Sequence, residues 1–116
     1  MQPLGIHHVA VNVDDVDRAV AFYTDVLGFT RRTDRPDFGI GGAWLQAGDQ
    51  QVHLLAAPVP PALGQHLAVL VDDLDAVVTE LRARGLDVRD PAELPASRQS
   101  VVADPSGNVI ELHQRR

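Results

Sequence analysis

The sequence contains no cysteine and only five aromatic side chains: one Trp, one Tyr and three Phe. Without cysteine the chain can form no disulfide framework, no thiolate zinc site and no cysteine nucleophile. It also lacks an excess of positive charge, because 10 basic and 16 acidic residues give a formal net charge of −6 and a pI near 5.1. Since a basic surface supplies most of the affinity for nucleic acids, this balance argues against a nucleic-acid partner.

Long apolar segments are also missing. No apolar run approaches the ~20 residues that are needed to cross a bilayer, and residues 1–5 carry no charged and apolar signal region. We therefore expect a cytoplasmic protein with no membrane partner. The hydrophobic content of 45% and the charged content of 22% are ordinary for a globular domain.

The chain repeats itself at a spacing of 58 residues. Residues 13–17 fall on residues 71–75 with one difference, and the same shift carries His8 onto His66. Half of the chain is about 55 residues, which is a small unit in which to bury a core. The repeat therefore predicts that the two halves, or two copies of the chain, pack together.

Each half has the pattern of a strand, a helix and three further strands. In the first half, 6–13 alternates in a β-branched background, and Asp14 or Asp15 is a typical helix cap. Gly28 is expected to end this helix, and Gly85 the second one. These two glycines lie 57 residues apart, so one residue has slipped between the two helices.

The chain is therefore predicted to be a single α+β domain over residues 1–116, made of two βαβββ modules in a pseudo-two-fold arrangement. The modules are expected at about 5–57 and 65–114, joined by a proline-rich connector at 58–64. A short strand and a loop are predicted within 31–42, and the later strands at 43–47, 51–56, 65–71, 86–89, 99–103 and 109–113.

Four side chains that commonly bind metals occupy equivalent strand positions: His8 and His66 on the first strands, His53 and Glu111 on the last. If these strands are neighbours in each half, the symmetry brings all four together. Such a set would hold one divalent ion per site, Zn, Ni, Co, Mn or Fe(II). His8, His66 and Glu111 alone would form a two-histidine, one-carboxylate triad, with His53 either a fourth ligand or a neighbour of the ligands.

Other residues are candidates for substrate contact. Phe38 and Trp44 lie near a glycine-rich segment and could line a substrate pocket, and Arg98 could pair with an anionic substrate. His113 shares the strand face of Glu111, which would put it at the rim of the site.

The residues resemble the vicinal oxygen chelate superfamily, which includes glyoxalase I, fosfomycin-resistance proteins, extradiol dioxygenases, methylmalonyl-CoA epimerase and bleomycin-binding proteins. The resembling stretches are 6–15, 21–29, 66–73 and 104–112. The resemblance implies an open, cup-like sheet around a metal whose ligands come from the first and last strands of each module. It also implies a homodimer with sites shared between the subunits.

The resemblance further implies that a small oxygenated molecule chelates the metal through two oxygens. We expect a proton transfer through an enediolate, as in glyoxalase I or the epimerase, with Glu111 as the catalytic base because it is the only carboxylate of the four. An Fe(II) extradiol-type dioxygenase and a fosfomycin-resistance-type thiol transferase are alternatives that use the same three ligands. A metal-free drug-binding protein of the bleomycin type is the non-enzyme alternative, and tight metal binding would exclude it.

Overall fold

The computed structural model describes all 116 residues, which form two compact units, Met1–Pro60 and Pro61–Arg116. The boundary between them lies within the proline-rich segment 58–64. Each unit contains one helix and one four-stranded mixed sheet, in the chain order βαβββ. The predicted α+β class and the two βαβββ modules are therefore confirmed.

The sheet of the first unit has the strand order β1-β4-β3-β2, in which β1 runs parallel to β4 and the other pairs are antiparallel. Its elements follow the predicted strands closely, although β1 begins two residues later than expected. They are β1 (His8–Val13), α1 (Val16–Ala21), a π-helical turn (Phe22–Val26), β2 (Thr30–Arg31), β3 (Gly42–Ala47) and β4 (Gln50–Ala56).

The second unit repeats this topology with the order β5-β8-β7-β6 and a parallel β5–β8 pair. Its elements are β5 (Leu67–Leu70), α2 (Leu74–Ala83), β6 (Ala92–Glu93), β7 (Ser97–Ala103) and β8 (Val109–Arg115). The strand predicted at 86–89 is wrong. Arg89 N–H makes one backbone hydrogen bond there, to Val101 O at 3.2 Å, and Pro91 has no N–H with which to continue the ladder.

Aspartate caps begin both helices at repeat-equivalent positions. The Asp15 carboxylate accepts a hydrogen bond from Arg18 N–H at 3.1 Å, and the Asp73 carboxylate accepts one from Ala76 N–H at 3.0 Å. Each contact satisfies a backbone donor that the first helical turn leaves without a partner. Neither helix has the length and apolar character that crossing a membrane requires.

A π-helical turn explains the one-residue slip between the two helices. Gly28 and Gly85 follow the helices with positive φ angles of 75° and 85°, a conformation that suits glycine. In the first unit, the Leu27 N–H donates to Phe22 O at 3.1 Å, five residues back rather than four. The first helix therefore accommodates one inserted residue as a single π turn.

The strand register repeats between the two units. Ala10 on β1 lies opposite His53 on β4, and Ala68 on β5 lies opposite Glu111 on β8. These pairs are related by the 58-residue shift. His53 and Glu111 therefore occupy the same position in their respective sheets.

Each helix covers one face of its own sheet, where the apolar core lies. Helix α1 packs on β3 and β4, and α2 packs on β7 and β8. Tyr23 and Phe29 belong to the core of the first unit. The largest fully buried side chains of the two units are Val13, Tyr23, Leu45 and Leu54, and Leu74, Leu81, Ile110 and Leu112.

Gly42 allows β3 to approach its surroundings closely. A Cβ atom at this position would overlap the carbonyl oxygen of Leu54 and lie 2.8 Å from the Arg35 guanidinium. We expect Gly42→Ala to lower the free energy of unfolding by ~1–3 kcal/mol, because β3 must shift to relieve the overlap. The control is Gly41→Ala, whose Cβ would lie 3.4 Å from the Ala56 Cβ. Urea unfolding measures both variants, and equal stabilities would contradict the prediction.

Candidate active site

His66 and Glu111 face each other in the second unit. Nε2 of His66 lies 3.4 Å from Oε1 of Glu111. Glu111 is on β8 and His66 immediately precedes β5, so the parallel pairing of these two strands brings the side chains together. The Glu111 side chain is only 14% exposed, whereas that of His66 is 42% exposed. The pair is therefore reachable from solvent mainly at the imidazole.

A backbone contact determines which nitrogen of His66 is free. Nδ1 lies 2.9 Å from the carbonyl oxygen of Gly64. Because a carbonyl oxygen only accepts, Nδ1 carries a proton and donates it to this bond. In the neutral ring, Nε2 then directs a lone pair toward Oε1 of Glu111, which is also an acceptor. Two such atoms at this distance are held favourably by a cation, either a proton on His66 or a metal ion.

His113 contacts the other oxygen of the same carboxylate. Its Nδ1 lies 2.8 Å from Oε2 of Glu111, and since a carboxylate only accepts, His113 is the donor. The two residues are two positions apart on β8 and therefore share one face of the sheet. This hydrogen bond orients the carboxylate and leaves Oε1 available toward His66. The sequence indicated the shared face but not the contact.

The first unit carries a continuous series of rings. His8 stacks on His53 with ring centroids 3.9 Å apart, and His53 stacks on Trp44 at 4.5 Å, both with an interplanar angle of 12°. Phe38 lies tilted against Trp44 at 6.1 Å, and His7 contacts His8 edge-on at 5.2 Å. The structure therefore joins two predicted metal ligands to the two aromatic residues predicted to contact substrate.

One nitrogen of His53 and one of His8 already have partners. Nε2 of His53 lies 2.8 Å from Oε1 of Gln51, and Nδ1 of His8 lies 2.9 Å from Nδ1 of His7. Because the His8 and His53 rings are stacked, the lone pairs of their nitrogen atoms lie in nearly parallel planes and do not converge on one point. One of the two rings would therefore have to turn about its side-chain torsions before His8 and His53 could bind the same ion. Their role as ligands stays a prediction.

The four predicted ligands thus occur as two pairs, one in each unit. His8 lies against His53, and His66 lies against Glu111. No group of three or more His, Asp or Glu side chains in the 116 residues is arranged so that it could hold a metal ion.

Arg98 is engaged by two carboxylates of its own unit. Its guanidinium donates to both oxygens of Asp75 at 2.9 and 3.0 Å, and its Nε lies 2.8 Å from Glu93. The hydrogen bonds to Asp75 and then Glu93 raise the pKa of Arg98 above its ordinary range. These ion pairs tie β7 to α2 and β6. That Arg98 contacts the substrate stays a prediction. Such a contact would require the substrate to displace the carboxylate of Asp75 or Glu93.

A cavity beside Trp44 brings in Arg35, a residue that the sequence reasoning missed. The cavity has a volume of about 340 Å³, and Arg31 and Arg35 are among the residues that line it. The Arg35 guanidinium lies 5.2 Å from the centre of the Phe38 ring. The sequence signal that could have identified this site is the run of three arginines within residues 31–35.

Burial lowers the pKa of His53 below its ordinary value of 6.5, and the neighbouring His8 and His7 lower it further. The folded protein therefore binds this proton less readily than the unfolded chain does. It follows that His53 contributes stability above about pH 6.5, and that this contribution is lost as the pH falls through the lowered pKa.

We expect His53→Gln to flatten the pH dependence of the unfolding free energy of metal-free protein between about pH 7 and pH 5, because the titrating group is gone. Urea unfolding at several pH values measures this slope. His66→Gln, in the other unit, is the control and should keep the additional slope that His53 causes. A wild-type slope in His53→Gln would show that another group is responsible.

Residues 5–112 match the model of a protein family described as the Glyoxalase/Bleomycin resistance protein/Dioxygenase superfamily. Lactoylglutathione lyase GLX1 of Arabidopsis thaliana is 29% identical over 93% of this chain, which spans 43% of that protein. Mouse mitochondrial methylmalonyl-CoA epimerase is 27% identical over 94% of this chain and 72% of its own length.

A solved structure shares this fold. TnmS3, an antibiotic-binding protein from Streptomyces sp. CB03234, superposes with a TM-score of 0.81 at 28% identity, over all of this chain and 99% of that one. With the family model covering nearly the whole sequence, the chain belongs to the Glyoxalase/Bleomycin resistance protein/Dioxygenase superfamily.

Proposed function

We propose that this protein is a divalent-metal-dependent enzyme that transfers a proton on a small oxygenated molecule, in the manner of glyoxalase I or methylmalonyl-CoA epimerase. The observation that carries the proposal is the arrangement of His66 and Glu111. An imidazole nitrogen and a carboxylate oxygen, both acceptors, face each other. The other nitrogen of the imidazole is bonded to the Gly64 carbonyl oxygen, and the other oxygen of the carboxylate is bonded to His113. Relatives with lyase and epimerase names support the reaction class.

The distance within this pair fits a metal ion. Two ligand atoms that each lie about 2.1 Å from a tetrahedral ion are roughly 3.4 Å apart. The separation between His66 Nε2 and Glu111 Oε1 is 3.4 Å. A histidine that donates its other N–H to a backbone carbonyl, as His66 does, is also typical of metal sites. We propose that His8 and His53 supply the remaining ligands, and that the ion is Zn, Ni, Co, Mn or Fe(II).

Glu111 is proposed to act as the base. When bound, the metal supplies a Lewis acid that polarises the oxygen atoms of the substrate. Glu111 would remove a proton from the carbon next to the substrate carbonyl and return it, because it is the only carboxylate among the four candidate ligands. Its limited exposure excludes bulk water from most of the carboxylate, and His113 holds it in one orientation. Phe38 and Trp44 are proposed to contact the body of the substrate.

We also propose a homodimer whose sites are shared between subunits. Within one chain no three of the candidate ligands come together, so a complete set would need donors from a second subunit. Light scattering measures the oligomeric state in solution. A monomer that still binds metal would exclude sites shared between subunits. The cytoplasmic location stays a prediction.

A metal-free ligand-binding protein is the second candidate function. The similarity to the antibiotic-binding protein TnmS3 favours it, as does the exposed Phe38 beside Trp44. The Fe(II) dioxygenase and the thiol transferase would use the same His66 and Glu111 pair, and iron in the purified protein would favour the dioxygenase. Metal content therefore distinguishes the leading proposal from the second one.

Removal of the Glu111 charge tests the metal site. We expect Glu111→Gln to keep the fold, to lose turnover, and to bind Co(II) at least about tenfold more weakly, because a neutral amide replaces an anionic ligand. Isothermal titration of chelator-treated protein measures the affinity. Glu80→Gln, which removes an exposed carboxylate of the same unit, is the control and should bind as the wild type does. A wild-type chain that binds no metal would refute the metal-dependent enzyme and favour the ligand-binding protein.

The hydrogen bond from His113 gives a separate prediction. We expect His113→Leu to weaken Co(II) binding by about 10–100-fold, because the carboxylate loses the donor that orients it. His113→Asn, which can still offer an N–H, should restore part of the affinity. The visible absorption spectrum of bound Co(II) reports whether the ligand geometry changes. Equal affinities for His113→Leu and the wild type would show that this contact does not support the site.

A further inference from the structure

A short arginine-rich segment follows the first helix in a protein whose net charge is −6. Arg32 is neutralised locally, because it donates to both oxygens of Asp34 at 2.8 and 2.9 Å and also to Gln46. Arg31 and Arg35 form no ion pair with any carboxylate of the chain. Two cationic side chains therefore remain uncompensated at one edge of the first unit.

Arg35 is held in place but incompletely hydrogen-bonded. One terminal nitrogen donates to the Ile40 carbonyl oxygen at 3.0 Å, and the guanidinium lies over the Phe38 ring. Its Nε is buried and has no hydrogen-bond partner in the chain. A buried N–H of a cation loses hydration without compensation, which is uncommon in folded proteins. The other terminal nitrogen, Nη1, makes no hydrogen bond within the chain and is not buried, so an acceptor on a bound ligand can pair with it.

Arg31 and Arg35 both line the cavity of about 340 Å³ beside Trp44. Thr33 lines it too and adds a hydroxyl donor, while Gly42 presents no side chain near the guanidinium. A guanidinium matches a carboxylate or phosphate with two parallel hydrogen bonds, and the indole offers a flat apolar surface. The volume is at the small end of the roughly 300–1,000 Å³ that ligand pockets have.

We infer that this cavity binds the carboxylate or phosphate group of a small ligand, with Arg35 and Arg31 as the binding cations and Trp44 against the ligand body. Trp44 also stacks on His53, a proposed metal ligand. The inference that this cavity orients the substrate of the enzyme rests on the proposed function. As an anion-binding site the cavity does not depend on a metal, so metal-free protein can test it.

Trp44 is the only tryptophan in the chain, and its fluorescence therefore reports on the cavity directly. Chelator-treated protein is titrated with benzoate, phenyl phosphate and benzamide, which share a phenyl ring and differ in charge. We expect saturable binding of at least one anion, and at least about tenfold weaker binding of benzamide because it lacks the charge. The tighter of the two anions assigns the cavity to carboxylates or phosphates. Equal affinities for benzamide and the anions, or no binding of either anion, would overturn the inference.

Variants then assign the binding to the named residues. Arg35→Gln is expected to weaken anion binding at least about tenfold, and Arg35→Lys to restore part of it, because the charge returns without the planar fork. Arg18→Gln, an exposed arginine of α1, is the control and should bind as the wild type does. If circular dichroism finds Arg35→Gln unfolded, the exposed Arg31→Gln takes its place, with a weakening of at least about threefold expected. Wild-type affinity in the folded variant would overturn the inference.

The two proposals fail separately. A protein that binds Co(II) but no anion retains the metal-dependent function and loses the subsite. A protein that binds benzoate or phenyl phosphate through Arg35 but binds no metal retains the anion site and refutes the enzyme.

Discussion

The parallel pairing of the first and last strands determines where the candidate site residues of each unit lie. A parallel neighbour requires a crossover connection, and here the helix and two strands separate β1 from β4 and β5 from β8. His8 and His53 thus meet across 45 residues of chain, as do His66 and Glu111. The helix covers one face of each sheet, so that side chains on the other face remain available for ligands.

Equivalent positions in the two sheets carry side chains of different chemical character. Trp44 lies opposite His53 on β3, whereas Val101 lies opposite Glu111 on β7. The first unit consequently presents rings and arginines, which suit the body and the anionic group of a small molecule. The second unit presents a carboxylate that is held by the His113 imidazole and faces the His66 imidazole, which suits a cation and a transferable proton.

The order of helices and strands could be predicted from the sequence, except at 86–89, because it follows from periodicity and the repeat. That the first and last strands are neighbours was a condition of the predicted ligand set, and the structure supplies it. Alternation along the strand predicts that Glu111 points to one face of the sheet while Ile110 and Leu112 point to the other, and those two residues are buried on the helix side. Whether two rings stack or converge on one point depends on side-chain torsions, which alternation does not encode. The contact between Arg35 and Phe38 and the space left by Gly42 depend on how a loop folds back over β3, and no periodic pattern describes that.

The strand register of the two units has a consequence for how such a protein can change over time. Residues 32–41 join β2 to β3, whereas only residues 94–96 join β6 to β7. On β3 the chain is one residue out of step with the repeat, so that Trp44 corresponds to Val101 at a spacing of 57. A longer turn between the last two strands of the second unit restores the spacing of 58 at β8. Between the β2–β3 connection and the turn before the last strand, insertions and substitutions can reshape the ligand-facing surface of one half. The strands that carry His53 and Glu111 keep their register, so the preference for a ligand can diverge while the proposed metal ligands stay in place.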